Sequence, residues 1–447
     1  MTTVDDVCAR TEQRVPASDE TFQYIDIASI DRKRKIIATP TELTGSDAPS
    51  RARKVVRTGD TIVSMTRPNL NAVALVPDAL DHQIASTGFE VLRPTAIDPR
   101  WLYYTVRTRR FVDAMSELVQ GALYPAVGSS DVRGHTIPLA PLNEQSRVAD
   151  KLDAMFARID ACRDQLDRVP ALLKALRRAI LASATNGELT EDWRGDAVHK
   201  WSRVALGEVA NDFSYGSAAK SSRQGQVPVL RMGNIQNGRL DWADLVFTSD
   251  AAEIEKYKLA PGDVVFNRTN SPELVGKTAV YKGERPAVYA GYLIRIRCSK
   301  RLLPDYLNYC LGSPAGREYC WSVKSDGVSQ SNINAKKLAA FEFSLPSVDE
   351  QAEIVRRVES LFSSADAIES KWKAASTQVE RMASAVLAKA FRGELVPQDP
   401  DDEPASALLA RVRAATPTAC RTRRPKSPRG RGGLTNPASP DPQRRAR

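Results

Sequence analysis

The sequence predicts an α+β chain built as a tandem: mixed globular module, long helix, mixed globular module, long helix, tail. Three observations carry that reading. Two stretches of about 40 residues keep an apolar residue at steps of 4, 3, 4, 3, a heptad pattern over more than four heptads and not generic amphipathicity. The markers at both ends of these stretches recur 206 residues apart. The segments before them are rich in short β-type runs broken by Gly, Pro, Asn and Asp.

The first module covers residues 1–142. Its β-type runs include Ile62–Met65 and Val73–Val76, and Trp101–Val106 has the look of a short helix. The first long helix follows at 143–190, with the seam Val148, Leu152, Met155, Ile159, Cys162, Leu166, Val169, Leu173, Leu176 and Ile180. Asn143 is a candidate N-cap, Pro170 is expected to kink the helix near its middle, and Gly187 stands where a left-handed residue ends a helix.

The second module spans 191–345, with β-type runs Thr278–Tyr281 and Tyr292–Ile296 and a short helix near Tyr306–Leu311. The second long helix, 346–398, repeats the seam as Ile354, Val358, Leu361, Ala365, Ile368, Trp372, Ala375, Val379, Met382 and Val386. Asp349 or Ser347 is its N-cap candidate, and Gly393 its terminator. Glu144-Gln145 recurs as Glu350-Gln351, and Asn186-Gly-Glu-Leu189 as Arg392-Gly-Glu-Leu395. Two helices of roughly 60 Å, each with one apolar seam, most simply bury the seams against each other.

The modules repeat more loosely. Gly59-Asp60 matches Gly262-Asp263, Tyr24–Ile27 resembles Met232–Ile235, and Ser130-Asp-Val132 resembles Ser331-Asn-Ile333. Residues 399–447 read as a basic tail without fixed structure. The tail also explains the charge. Of the net +10, residues 421–447 contribute nine Lys/Arg against one acid, whereas residues 1–142 balance at 17 against 17. Residues 201–345, with 19 basic and 14 acidic, are only locally basic.

Composition excludes other classes. At 42% hydrophobic and 26% charged the chain is an ordinary globular one. The longest apolar runs are a few residues, and the start lacks an apolar leader core, so a cytoplasmic chain with no membrane partner is expected. Six cysteines without a CxxC pair, and three histidines, offer no metal or redox spacing. Ser271-Pro-Glu-Leu-Val-Gly-Lys-Thr278 imitates a phosphate loop but has Ser for the first Gly, a Pro that removes an amide, and a strand where a helix should start. No Asn-Pro-Pro-aromatic, Gly-x-Gly-x-x-Gly or hydrolytic-triad context is present. No catalytic residue and no metal ligand is therefore assigned.

Binding features are better supported. Polar loops carry Tyr215, Lys220, Arg231, Asn234, Arg268, Asn270, Ser329, Gln330 and Asn332 in the second module. The first has Tyr24 beside the run Arg32, Lys33, Arg34, Lys35, and Arg67-Pro-Asn69 parallels Arg268-Thr-Asn270. These residue types hydrogen-bond phosphates and base edges, which makes them DNA-binding candidates.

The order of these segments resembles the DNA-specificity subunit of type I restriction–modification systems. The residues that carry it are Phe22–Ile30, Arg67-Pro-Asn-Leu-Asn71, Val229–Ile235, Leu274-Val-Gly-Lys277, Pro141-Leu-Asn-Glu-Gln145 and Val348-Asp-Glu-Gln351, together with the two Gly-Glu-Leu helix exits. They span about residues 4–398; the tail is a departure. The resemblance implies two target-recognition domains, each reading one half of a split sequence in double-stranded DNA. It implies that the helices form an antiparallel coiled coil acting as spacer. It also implies two methyltransferase (modification) subunits and restriction/translocation subunits as partners. S-adenosylmethionine, ATP and Mg2+ would sit on those partners and none on this chain. Two other readings stay open: an enzyme with a diverged site, and a scaffold joining two protein-binding modules.

Overall fold

A computed structural model describes residues 1–119, 125–194, 201–328 and 330–415. The chain divides into two compact units, Met1–Asp160 with Arg381–Arg447, and Ala161–Glu380. Each long helix runs through both, so the unit boundary cuts the helices and not the loops.

Unit 1 holds a four-stranded sheet in the order Cys8–Ala9, Phe89–Pro94, Thr61–Ser64, Val73–Leu75. Phe89 pairs antiparallel with Ser64, and Thr61 with Leu75. A second sheet contains a parallel pair, Thr21–Ile25 with Ile84–Ser86. Ile25, Ile62, Ala85, Phe89 and Val91 close the core between them.

Unit 2 repeats the first of these sheets strand for strand, as Ala210–Tyr215, Leu293–Cys298, Val264–Asn267, Thr278–Val280, whereas its second sheet has three strands to the four of unit 1. Its parallel pair is Val227–Leu230 with Val288–Tyr289. Its core takes Ile180 and Ala184 from the first long helix and Ile354 and Val358 from the second. The duplication expected from scattered motifs is therefore a duplication of sheet order. The loosest of those matches fails: Ser129–Gly134 is helical, whereas Ser331–Asn332 is a strand.

The Gln of each Glu-Gln pair has one job in both halves. Gln145 Oε1 accepts from Asp98 N at 3.0 Å and its amide donates to Ala140 O. Gln351 Oε1 accepts from Leu303 N at 2.8 Å and its amide donates to Pro346 O. Both glutamines are fully buried. Each ties the start of a long helix to the short helix of its own unit, Pro99–Thr105 or Pro304–Gly312. The second helix is capped by Ser347, whose Oγ accepts from Glu350 N at 3.2 Å; Asn143 and Asp349 lie inside the first turns.

The long helices are Leu142–Asn186 and Val348–Ala390, the first running unbroken through Pro170. Gly187 (φ 92) and Gly393 (φ 76) are left-handed, the conformation a terminating glycine permits. Within unit 2 the helices run antiparallel. Arg163 bonds Glu380 (3.0 and 2.8 Å), Trp372 Nε1 donates to Leu166 O (2.8 Å), and Arg177 reaches Asp366 (2.7 Å) and Glu369 (2.9 Å).

The seam needs correcting. Leu152, Ile159, Leu173 and Ile180 are buried, with Leu166 half-buried, as are Val358, Ala365, Trp372, Val379 and Val386 to full or partial depth. Val148 and Ile354 are buried too. However, Cys162, Leu176, Leu361, Ile368, Ala375 and Met382 are exposed, and Met155 is only half-buried. Except at Val169, which is half-buried while Pro170 is exposed, the second seam position lies one residue later, at Phe156, Arg163, Arg177 and Ala184, and at Phe362, Glu369, Ala383 and Ala390. A search for apolar letters skips Arg163, Arg177 and Glu369, which enter the seam as ion pairs.

The expectation of an unstructured tail from residue 399 is also corrected. Ala405–Ala415 is a helix whose Leu408 and Val412 are buried, and Arg147 holds Asp402 at 2.6 Å. Residues 416–447, with the basic run, lie outside the described residues. No described helix is long and apolar enough to cross a membrane.

Candidate nucleic-acid interface

In unit 2 the sheet edge builds a polar cluster. Thr269–Asn270 pairs antiparallel with Ser331–Asn332, so Thr269 faces Asn332 and Asn270 faces Ser331. The Arg268 guanidinium lies 4.7 Å from the centre of the Tyr215 ring, and its Nη2 donates to Asn332 Oδ1 at 3.2 Å. Asn332 Nδ2 donates to Thr269 Oγ1 at 2.7 Å, and the Tyr215 hydroxyl accepts from Ala335 N at 3.0 Å. Arg268 Nε is buried without a partner. Ring stacking, the Asn332 amide oxygen and Gly291 O, which accepts from Nη1 at 3.4 Å, thus pre-orient a half-buried guanidinium. Tyr215 and Tyr292 stay exposed beside it, and Arg268 N donates to Tyr292 O.

The structure therefore brings together Tyr215, Arg268, Asn270 and Asn332, four candidates up to 117 residues apart in sequence. Gln330 is exposed on the adjoining turn, where its carbonyl accepts from Gly327 N; Ser329 lies outside the described residues. Lys220 is exposed on a separate loop. Arg231 is held by Asp244 through its carbonyl (2.6 Å) and carboxylate (3.2 Å). Asn234 is a turn-former: its Oδ1 accepts from Arg231 N, and both amide hydrogens go to Asp241 O and Ala243 O. At 3% exposed it has no donor left for a base.

In unit 1 the cation run is the tip of a hairpin between Ile30–Asp31 and Ile36–Ile37. Asp31 Oδ1 accepts from Lys33 N and Arg34 N, which folds the tip and leaves Arg32 and Lys33 outermost. Backbone and side-chain bonds to Lys33 and Arg34 outweigh burial and hold the Asp31 carboxyl below its usual range. Arg34 is drawn back to Asp31 (3.2 Å), and the Lys35 ammonium to Asn71 O. Arg67 takes a left-handed φ of 49 before the short turn Pro68–Leu70, and Arg67 and Asn69 are exposed. Tyr24 is different: it is half-buried in a central strand, packed with Phe22, Ala52 and Ile84.

Sequence reasoning missed Arg107. It donates no recognisable motif, yet it lies over Tyr103, Tyr104 and Phe156, and its carbonyl accepts from Asn71. Tyr103 in turn donates to Lys35 O at 2.9 Å, so the hairpin, the Arg67–Asn71 turn and the short helix form one assembly.

Two duplicated sheet modules, each tied to a long helix and each carrying exposed cations on its loops, define a tandem recognition protein on a helical frame. The description "Type I restriction modification DNA specificity domain" matches residues 199–375. The chain is 33% identical over 340 residues to the type I restriction enzyme EcoKI specificity subunit of Escherichia coli K12, covering 72% of this chain and 73% of that one. It is 32% identical over 338 residues to the StySPI specificity subunit of Salmonella potsdam, with the same coverage. A chain from a structure describing assembly and conformational transition of the type I R-M system superposes with a TM-score of 0.73 at 29% identity, covering 88% of this chain and 97% of that chain. The HsdS subunit of Thermoanaerobacter tengcongensis gives 0.53 at 28%, covering 88% and 96%. The chain belongs to the family of type I restriction enzyme specificity subunits.

Proposed function

We propose that this chain is the address of a restriction–modification complex. Each recognition module, residues 1–142 and 191–345, reads one half of a bipartite sequence in double-stranded DNA. The antiparallel helix pair, 143–190 with 346–398, sets the spacing of the half-sites and docks two methyltransferase subunits, which restriction/translocation subunits join. The observation that carries this reading is family membership over nearly three quarters of a specificity subunit. The exposed hairpin tip of Arg32 and Lys33 and the Tyr215–Arg268–Asn332 cluster support it: cations set register on phosphates, and an oriented Arg or Asn reads a base edge. The chain itself does no chemistry. S-adenosylmethionine, ATP and Mg2+ belong to the partners, and the assembly works in the cytoplasm.

Long-read mapping of N6-methyladenine in the native genome, with and without the gene, tests this. Loss of one split, asymmetric motif on deletion is expected, and it delivers both half-sites at once. An unchanged methylation map, in cells where the partner methyltransferase is shown to be active, would overturn it.

A further inference from the structure

One spot is built differently in the two halves. In unit 1 the Arg107 guanidinium lies 4.1 Å from the centre of the Phe156 ring and 5.0 Å from that of Tyr104. The two rings stack at 5.5 Å, and the Tyr104 hydroxyl donates to Asp153. Unit 2 has the same set 205 or 206 residues on: Tyr309 on helix Pro304–Gly312, and Phe362 and Glu359 on the second long helix. The Gln145 and Gln351 contacts described above fix these short helices equivalently on the long ones. Tyr309 and Phe362 meet edge to face at 6.2 Å.

The cation is what changes. The residue equivalent to Arg107 is Gly312. Gly312, Tyr309, Phe362 and Glu359 line a cavity of about 1260 Å³ whose apolar wall includes Leu173, Leu181 and Trp242. Among the described residues of unit 2, no Arg or Lys lies over either ring. Arg239, also on the cavity wall, is turned to Asp366 at 2.7 Å. Burial, then Asp305 and Glu359, push the Tyr309 phenol above its ordinary value against the opposing Arg239. Asp305 is already paired with Lys282 at 2.5 Å, and the cavity wall carries cations as well as acids, among them Arg177, turned to Asp366 and Glu369.

We propose that this cavity docks an arginine side chain presented by a segment of a partner protein, its guanidinium taking over Tyr309 and Phe362 the place that Arg107 holds within unit 1. Glu359, at the position equivalent to Asp153, lines the cavity and supplies it with a carboxylate. The space exceeds one side chain, and the wall formed by Leu173, Leu181 and Trp242 accommodates apolar residues flanking the arginine. The proposal stands independently of what the recognition modules read.

The test uses the full chain and the peptide acetyl-Gly-Arg-Leu-amide, with its uncharged citrulline counterpart, followed by tryptophan fluorescence, since Trp242 and Trp372 line the cavity. Saturable binding of the arginine peptide is expected, with the citrulline peptide weaker by about tenfold. Gly312→Arg should abolish binding by supplying the cation internally. A Cβ at that position meets only Leu181 Cδ1, at 3.5 Å, so the variant has room to fold. If circular dichroism shows that it does not fold, Glu359→Gln serves instead and should weaken binding severalfold. Equal affinity for both peptides, no saturable response, or binding unchanged in the folded variant would overturn the proposal.

Discussion

At the scale of single residues, Arg268 is set in place by its neighbours. Its guanidinium is stacked on Tyr215 and hydrogen-bonded to Asn332 before any ligand arrives, so little side-chain entropy remains to be lost on binding. Arg268→Ala should weaken binding of the assembled complex to its methylation motif by about 1–3 kcal/mol and relax preference at one base pair. Competition with single-base variants of the motif reads this; an even loss across all variants would make Arg268 a phosphate contact.

A second residue-scale prediction concerns Glu90. It is buried between Lys54 (2.8 Å) and Arg133, which also reaches Asp5. Burial alone would raise the Glu90 carboxyl, but the two cations outweigh it and hold it below its ordinary range. A depressed folded value means the stabilisation is complete above the unfolded carboxyl range, near pH 4.3. It is lost as pH falls from there through the folded value. Glu90→Gln should therefore cost about 3–5 kcal/mol at neutral pH. The gap to wild type should close on acidification, as read by thermal unfolding.

At the scale of elements, the helix seam mixes burial with charge. Arg163 is buried while Glu380 is half in water, so the two partners are not equivalent. Glu380→Ala strips two hydrogen bonds from a buried guanidinium and should cost about 1–3 kcal/mol. Arg163→Met leaves a carboxylate that water can solvate, and should cost less than about 1 kcal/mol. Urea midpoints of the two variants should differ in that order. Deleting one heptad from both long helices removes about 10 Å of rise. If the helix pair is the spacer, the methylated motif should reappear with a shorter gap or vanish; an unchanged gap excludes that role.

At the scale of the whole molecule, the segment after the second helix completes unit 1. Leu408 and Val412 are buried there, and Asp402 is held by Arg147. A chain ending at Asp399 should lose about 1.5–3 kcal/mol for each buried aliphatic side chain. Hydrogen exchange should quicken in unit 1, around Asp5–Val7 and the start of the first long helix, and stay unchanged in unit 2. Faster exchange in unit 2 would show that the units do not respond separately.

Periodicity and duplication made the frame legible in the sequence, because a helix terminus or a sheet strand is specified by residues close together in the chain. Gly187 and Gly393, the short strands of both modules, and the coincidence of Arg268-x-Asn270 with Arg67-x-Asn69 could all be read that way. Tertiary structure decided the rest. Which of two adjacent stripes faces the partner helix depends on ion pairs such as Arg177 with Asp366 and Glu369, which an apolar pattern cannot contain. The same holds for function. Asn234 and Asn332 are the same letter in polar stretches, but one spends its amide hydrogens on turn carbonyls, whereas the other donates to Thr269 and accepts from Arg268 through its oxygen. The sequence by itself determined the duplicated architecture, since periodic burial is local information. Only the tertiary structure decided which polar side chains are free to meet a ligand, because that depends on neighbours the fold brings from a hundred residues away.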